Sequence, residues 1–203
     1  MVDEIVQLEW DFFQQVHHID GRASCQDDFE TFYLQRKSQF EAFYQNVQKA
    51  CLQDLKLAQQ IGRNPVMEKY VYMMESTDPE YFNTIRDQLP AVDQQKKDFI
   101  NALCDIEVSM REDMNDQYPY LLSQARFTHS LEDEKDDTSF ETYLRGELMT
   151  YSDETLYLYG QMVLDMVQKN ENLIEKILMN TVKAYGYASL EDANKFIMDS
   201  EKK

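Results

Sequence analysis

Glycine, proline and cysteine are scarce in this chain, which has 5, 4 and 3 of them among 203 residues. Three cysteines form neither the even set of a disulfide framework nor the paired spacing of a zinc site, so we expect reduced thiols and a cytoplasmic protein. The N-terminal segment is acidic and already periodic, unlike a signal peptide. No stretch approaches the ~18 apolar residues that a membrane-spanning helix needs. Alternating apolar runs, the pattern of a half-buried β-strand, are also missing.

Positive charge is in short supply as well, because 20 Lys and Arg face 38 Asp and Glu and give a formal net charge of −18. Nucleic acid and anionic membrane surfaces are bound through clustered cations. The composition therefore predicts that neither is a partner of this protein. A small anionic ligand is compatible with this charge if a few cations converge locally. The sequence leaves the oligomeric state open.

Helical periodicity extends over most of the sequence. In the first segment, apolar residues recur at spacings of three and four, namely Ile5, Leu8, Phe12, Val16 and Ile19. Gly21 can end this helix, since glycine adopts the left-handed cap conformation readily. Similar patterns along residues 1–203 predict an all-α fold, a single compact domain of eight to ten helices. Residues 124–138 lack periodicity and predict a long loop, and we interpret its acidic run at 132–137 as a solvated or mobile flap.

A cysteine and a histidine are the candidates for nucleophilic catalysis. Cys25 lies in a polar turn just before a helix that we expect to begin near Asp27, and the positive end of a helix favours the reactive thiolate. His129, the sole histidine outside the first predicted helix, would act as the base, with Glu141 or Glu147 orienting it. The alternative is that Cys25 is a small buried side chain in a helix cap and that His129 is merely exposed.

Polar side chains that could surround an anionic ligand occur in separate parts of the sequence. The candidates for ligand binding are Arg22, Gln26, Arg36, Gln39, Arg145, Glu147 and Tyr151. Arg36 lies one helical turn from Phe32 and Phe40 on a predicted apolar face, where a guanidinium requires a carboxylate or a ligand anion. Arginines from distant segments that face one hollow would focus positive charge within an acidic protein.

The segment 141–151 is the most informative of these regions. Gly146 lies within a predicted helix, where glycine is unfavourable by ~1 kcal/mol relative to alanine, so another helix or a ligand should approach closely there. Glu141 and Arg145 are four residues apart and can pair. The competing interpretation is a buried structural network whose arginines are all satisfied internally.

Three functions are compatible with these residues. We favour binding of an anionic small molecule in a polar pocket. A hydrolase or group-transfer enzyme with Cys25 as its nucleophile is the second, and a helical protein-interaction module is the third. We expect no cofactor and no metal, because the residues three positions before His17, His18 and His129 are not the glutamates of a helical di-iron site. A phosphate-binding glycine loop is missing too.

Several strings in the sequence resemble a known family. They are GRASCQDD at 21–28, SQF at 38–40, EKYVYMMEST at 68–77 and FETYLRGE at 140–147. These strings are similar to those of a bacterial family, found mostly in gut Firmicutes, that is catalogued as domain of unknown function 4125. The resemblance runs over nearly the whole chain. It implies an all-helical bacterial protein and brings no established activity with it.

Overall fold

Eleven α-helices make up most of the part of the chain that the computed structural model describes, which is residues 1–16, 21–135 and 137–201. They are α1 (Val2–Phe13), α2 (Phe29–Ala42), α3 (Gln45–Ile61), α4 (Pro65–Thr77), α5 (Pro79–Ile85), α6 (Gln94–Gln117), α7 (Pro119–Ser123), α8 (Phe140–Thr150), α9 (Asp153–Gln168), α10 (Leu173–Ala184) and α11 (Leu190–Glu201). Those ranges contain no β-strand. The all-α prediction is confirmed, and its eight to ten helices correspond to the ten that have seven or more residues.

Local sequence explains where most of these helices begin. Asp78 and Pro79 start α5, since the Asp78 carboxylate accepts a hydrogen bond from the Tyr81 amide at 3.1 Å. Ser139 and Ser152 cap α8 and α9 in the same way. Each cap satisfies an amide that the first helical turn leaves without a partner.

The first helix is shorter than its apolar stripe predicts. Helix α1 ends at Phe13, and Val16 stays buried in the irregular segment that follows, while Ile19 lies outside the described residues. The buried side chain of Gln26 donates from Nε2 to the carbonyls of Phe13 and Val16, at 2.8 and 3.0 Å. A side chain from a later turn therefore satisfies carbonyls that a continued helix would have paired. This gives Gln26, a predicted ligand-binding residue, a structural role.

The main apolar core runs through the bundle from α1 to α10, with α8 packed against both α4 and α6. Helices α4 and α8 approach closely at Gly146. A Cβ atom there would lie 2.8 Å from Met73 Cγ and 3.0 Å from the Lys69 carbonyl oxygen. Contact with a neighbouring helix is therefore the reason for this glycine. No helix within the described ranges is both long and apolar enough to span a bilayer.

Hydrogen bonds attach the predicted loop at 124–138 to α6 and to the start of α8. The amides of Phe140 and Glu141 donate to the carbonyls of Phe127 and Thr128, at 2.7 and 3.2 Å. Asn115 Nδ2 donates to Thr128 Oγ1 at 2.7 Å.

The acidic part of this loop is also attached to the bundle. The Asp133 carboxylate accepts from Ser76 Oγ at 2.5 Å, from Thr142 Oγ1 at 2.6 Å and from the Ser139 amide at 2.7 Å. Although burial raises the pKa of Asp133, these hydrogen bonds lower it below its ordinary value. These contacts do not fit a mobile flap, whereas the exposure of Glu132, Glu134 and Asp137 fits the solvated alternative. Asp136 lies outside the described residues.

Candidate functional site

One face of α8 carries a line of positively charged side chains from other parts of the chain. Phe140, Tyr143 and Glu147 follow one another at spacings of three and four residues and therefore share that face. Four side chains meet these three residues, and we call them the cation row: Arg36, Lys69, Arg111 and Arg126.

Two aromatic rings of α8 support three members of the cation row. Arg111 Cζ lies 4.9 Å from the centroid of the Phe140 ring. Arg126 Cζ and Lys69 Nζ lie 4.8 and 4.2 Å from the centroid of the Tyr143 ring. A cation above a ring face is attracted by the ring quadrupole, most strongly where water is excluded.

Arg36, at one end of the row, is fully paired. Its Nε and Nη2 donate to the two carboxylate oxygens of Glu9, at 2.7 and 2.6 Å. Its Nη1 and Nη2 donate to Glu147 at 2.9 and 3.1 Å, and Nη1 also donates to Gln39 Oε1 at 2.7 Å. These bonds use all five N–H groups of the guanidinium.

Glu147 joins this end of the row to its neighbours. It also accepts from Gln39 Nε2 at 2.9 Å, from Tyr151 OH at 3.3 Å and from Lys69 Nζ at 3.4 Å. Burial raises the pKa of Glu147, but the charges of Arg36 and Lys69 outweigh that effect and hold the pKa well below its ordinary value. The buried carboxylate is therefore ionised and compensated.

Four of the predicted ligand-binding residues thus meet in one place: Arg36, Gln39, Glu147 and Tyr151. Their charges balance, since Glu9 and Glu147 compensate Arg36 and Lys69. The adjoining cavity has a volume of about 40 Å³ and is lined by Glu9, Cys51, Lys69, Glu147 and Tyr151 among others. A space of that size holds a few water molecules. The arrangement matches the buried structural network that was the competing interpretation.

Arg22 and Arg145 lie in other surroundings. Arg22 Nε donates to Asp27 at 2.9 Å on the exposed turn after α1. Arg145 pairs with Glu141 at 2.5 Å and donates to Asn101 Oδ1 at 3.1 Å. These contacts correct the expectation that three arginines face one hollow, because Arg22, Arg36 and Arg145 each pair with a different carboxylate. A chain rich in acids offers such partners readily, and pairing offsets the desolvation of a guanidinium.

The predicted catalytic residues are also separate. Cys25 is exposed in the short 3₁₀ turn Ser24–Asp27. His129 Nε2 lies 3.2 Å from Glu112, and Glu141 accepts from the Ser130 amide at 2.8 Å as well as from Arg145. Within residues 1–16, 21–135 and 137–201, no contact joins Cys25 to His129 or the Glu141 carboxylate to that imidazole. The structure therefore does not form the hydrogen-bonded chain that a nucleophile and its base require.

Arg111, at the other end of the cation row, has no compensating carboxylate in the part of the chain that the structure describes. The residue is only 6% exposed, and its one hydrogen bond there runs from Nη2 to the Arg126 carbonyl at 2.7 Å. Its Nε is buried and lacks a hydrogen-bond partner. Burial lowers the pKa of Arg111 to about 10, and the charge of Arg126 lowers it as well. Among the described residues, Arg126 in turn donates only to the Thr138 carbonyl, at 2.9 Å.

Sequence reasoning missed Glu9, Lys69 and Arg111. The available signal is the same for each of them, a charged residue at a position of an apolar helix face. Glu9 stands four residues after Ile5, and Lys69 stands four residues before Met73. That signal identifies a buried charge but does not say whether a carboxylate or a ligand compensates it.

The described residues include no group of three or more His, Cys, Asp or Glu placed to hold a metal ion, while His17 and His18 lie outside them.

A family model described as "Protein of unknown function (DUF4125)" matches residues 1–195, almost the entire chain. No curated protein and no solved structure matches it.

Proposed function

The chain belongs to the DUF4125 family of unknown function, and we propose that it is a cytoplasmic protein that binds a small anionic molecule at Arg111 and Arg126. The family match agrees with the strings that suggested it. Three unpaired cysteines, two of them buried, support a reducing compartment.

The observation that carries the proposal is the buried and uncompensated guanidinium of Arg111. An ion taken out of water is strongly unfavourable unless an opposite charge accompanies it. In a chain of net charge −18, carboxylates are the commonest charged groups, and the equally buried Arg36 has two of them. Arg111 has a carbonyl and a ring instead. An anion bound beside Arg111 would supply the missing negative charge.

The neighbour of Arg111 strengthens this argument. Two nearby positive charges disfavour each other, and an anion bound close to both would relieve that repulsion. Arg126 is the positive charge that acts on Arg111, and it also lacks an ion pair in the described part of the chain. The strong negative charge elsewhere limits the ligand to a small molecule, since a long polyanion would be repelled.

Binding of inorganic phosphate and sulfate tests this function. We expect either anion to raise the melting temperature above that in sodium chloride of the same ionic strength, because a ligand that binds only the folded state stabilises it. Arg126→Gln should abolish the rise. Arg86→Gln, which removes the same charge from an exposed position, is the matched control and should retain it. An absent rise, or an equal rise in the Arg126→Gln variant, would contradict the proposal.

A further inference from the structure

A groove opens beside Arg126, next to the end of α6 and to α7. It has a volume of about 390 Å³, and its walls come from Asn115, Ser123, Arg126, Phe127, Thr128 and His129 together with apolar residues of the same segments and Glu132. Sites for small molecules usually measure about 300–1,000 Å³. The groove is therefore large enough for an organic molecule that carries an anionic group, and not only for a bare oxyanion.

The walls of the groove suit hydroxyl groups. An amide and two side-chain hydroxyls line it, and such groups both donate and accept hydrogen bonds. The imidazole of His129 lines it as well, with its Nε2 beside Glu112. Asn115 uses one N–H of its amide to hold Thr128, at 2.7 Å, which fixes the amide plane in the groove wall. A fixed amide recognises a partner that can donate to its oxygen and accept from its second N–H, as a hydroxyl does.

The charges around the groove favour one phosphate group. Arg126 lines the groove, whereas Arg111, which donates to the Arg126 carbonyl, is not among the wall residues. Among the described residues these two guanidinium groups have no carboxylate partner, and a phosphate monoester carries about −1.5 to −2 charges at neutral pH. A carboxylate would compensate only one of them. Glu132 lies in the groove wall and would repel a second anionic group, so it discriminates against diphosphates and bisphosphates.

From these observations we infer that the ligand is the monophosphate ester of a polyhydroxylated molecule, such as a sugar or polyol phosphate. The phosphate binds at Arg126, with the buried charge of Arg111 behind it, and the hydroxylated body lies along Asn115 and Thr128. This inference rests on the proposed function, because it names the class of anion that the same two arginines take.

Isothermal titration calorimetry with a set of commercial compounds separates the two proposals. Ribose 5-phosphate and glycerol 3-phosphate should bind about tenfold or more tightly than inorganic phosphate, since each hydrogen bond from a hydroxyl adds about 1 kcal/mol. Gluconate, which has hydroxyls and a carboxylate, and fructose 1,6-bisphosphate should bind more weakly than ribose 5-phosphate. Equal affinity for inorganic phosphate and the sugar phosphates would overturn this inference and leave the proposed function standing. No binding of any of these anions would overturn both.

Two variants test the groove itself. Asn115→Ala should lower the affinity for ribose 5-phosphate about tenfold while leaving that for inorganic phosphate unchanged. Glu132→Gln should raise the affinity for fructose 1,6-bisphosphate relative to ribose 5-phosphate, because the repelling carboxylate is gone. Circular dichroism and the melting temperature establish that each variant is folded, and Arg86→Gln controls for net charge. An unchanged preference in both variants would contradict a ligand body in this groove.

Discussion

The two ends of the cation row differ in how their charge is compensated, although burial at the two ends is nearly the same. Arg36 is 5% exposed and Arg111 is 6% exposed. Carboxylates of α1 and α8 surround the first, whereas a carbonyl and an aromatic ring surround the second. Two equally buried arginines therefore differ in whether an opposite charge compensates them, and ion pairs join elements of the fold only at the compensated end.

Removing the charge at the compensated end of the cation row should have the largest effect on the free energy of unfolding. In Arg36→Met the carboxylates of Glu9 and Glu147 lose their main partner while they remain buried, and breaking such a pair is destabilising by roughly 3–5 kcal/mol. Urea unfolding at neutral pH measures the loss in the free energy of unfolding. Arg22→Met, which breaks an exposed ion pair with Asp27, is the control and should change stability by about 1 kcal/mol or less. A loss of that small size in Arg36→Met would remove the distinction between the two ends.

A second buried glutamate, Glu107, contrasts with Glu147 and should make the stability of the fold depend on pH. Glu107 is 1% exposed, and the described residues give its carboxyl a single hydrogen-bond partner, Tyr159 OH at 2.7 Å. Unlike Glu147 it has no cation paired with it in the described ranges, and burial raises its pKa to about 8. The folded protein therefore retains a proton on Glu107 that the unfolded chain releases near the ordinary pKa of 4.5.

The raised pKa of Glu107 makes the free energy of unfolding depend on pH. Between about pH 4.5 and 8 the folded state binds more protons at this site, so the free energy of unfolding should fall with rising pH by about 1.4 kcal/mol per unit. Glu107→Gln removes that contribution, because the amide is neutral and its oxygen still accepts from Tyr159. We expect the stability of the variant relative to the natural protein to increase from pH 5 to 8 in urea unfolding curves. Parallel pH profiles would show that Glu107 is ionised in the fold.

The smallest effect on stability is expected at the uncompensated end. Arg111→Met removes a buried charge that no carboxylate of the described residues accompanies. Replacing a buried charge by a hydrophobic side chain of similar size is often neutral or stabilising. The lost bond to the Arg126 carbonyl offsets part of that gain. We expect the free energy of unfolding to change by about 1 kcal/mol or less, and the affinity for phosphate to fall. A loss as large as that of Arg36→Met would mean that Arg111 is structural.

Much of the helical architecture could be predicted, because its signals are local. The Asp78–Pro79 start of α5, the serine caps of α8 and α9 and the close helix contact at Gly146 are each encoded within a few residues. The end of α1 could not be predicted in this way. Gln26, a side chain from a separate turn, donates to the carbonyl of Phe13 and to that of Val16 beyond the helix, so the apolar stripe continues past the residue at which the helix ends.

The candidate site could likewise be predicted only in part from the sequence. The sequence indicates that Arg36 needs an opposite charge, but its partners Glu9 and Glu147 lie 27 and 111 residues away along the chain. For Arg111 the sequence gives no indication at all that a partner is missing.

By its periodicity, caps and charge, the sequence alone determined an acidic all-helical protein with few cations. Only the tertiary structure decided which of those cations has a carboxylate beside it among the described residues and which has none. Helix formation depends on hydrogen bonds and side chains within about one turn, so neighbouring residues specify it. The compensation of a buried charge depends on which distant side chains packing brings within reach after water has been excluded, and no local pattern specifies that.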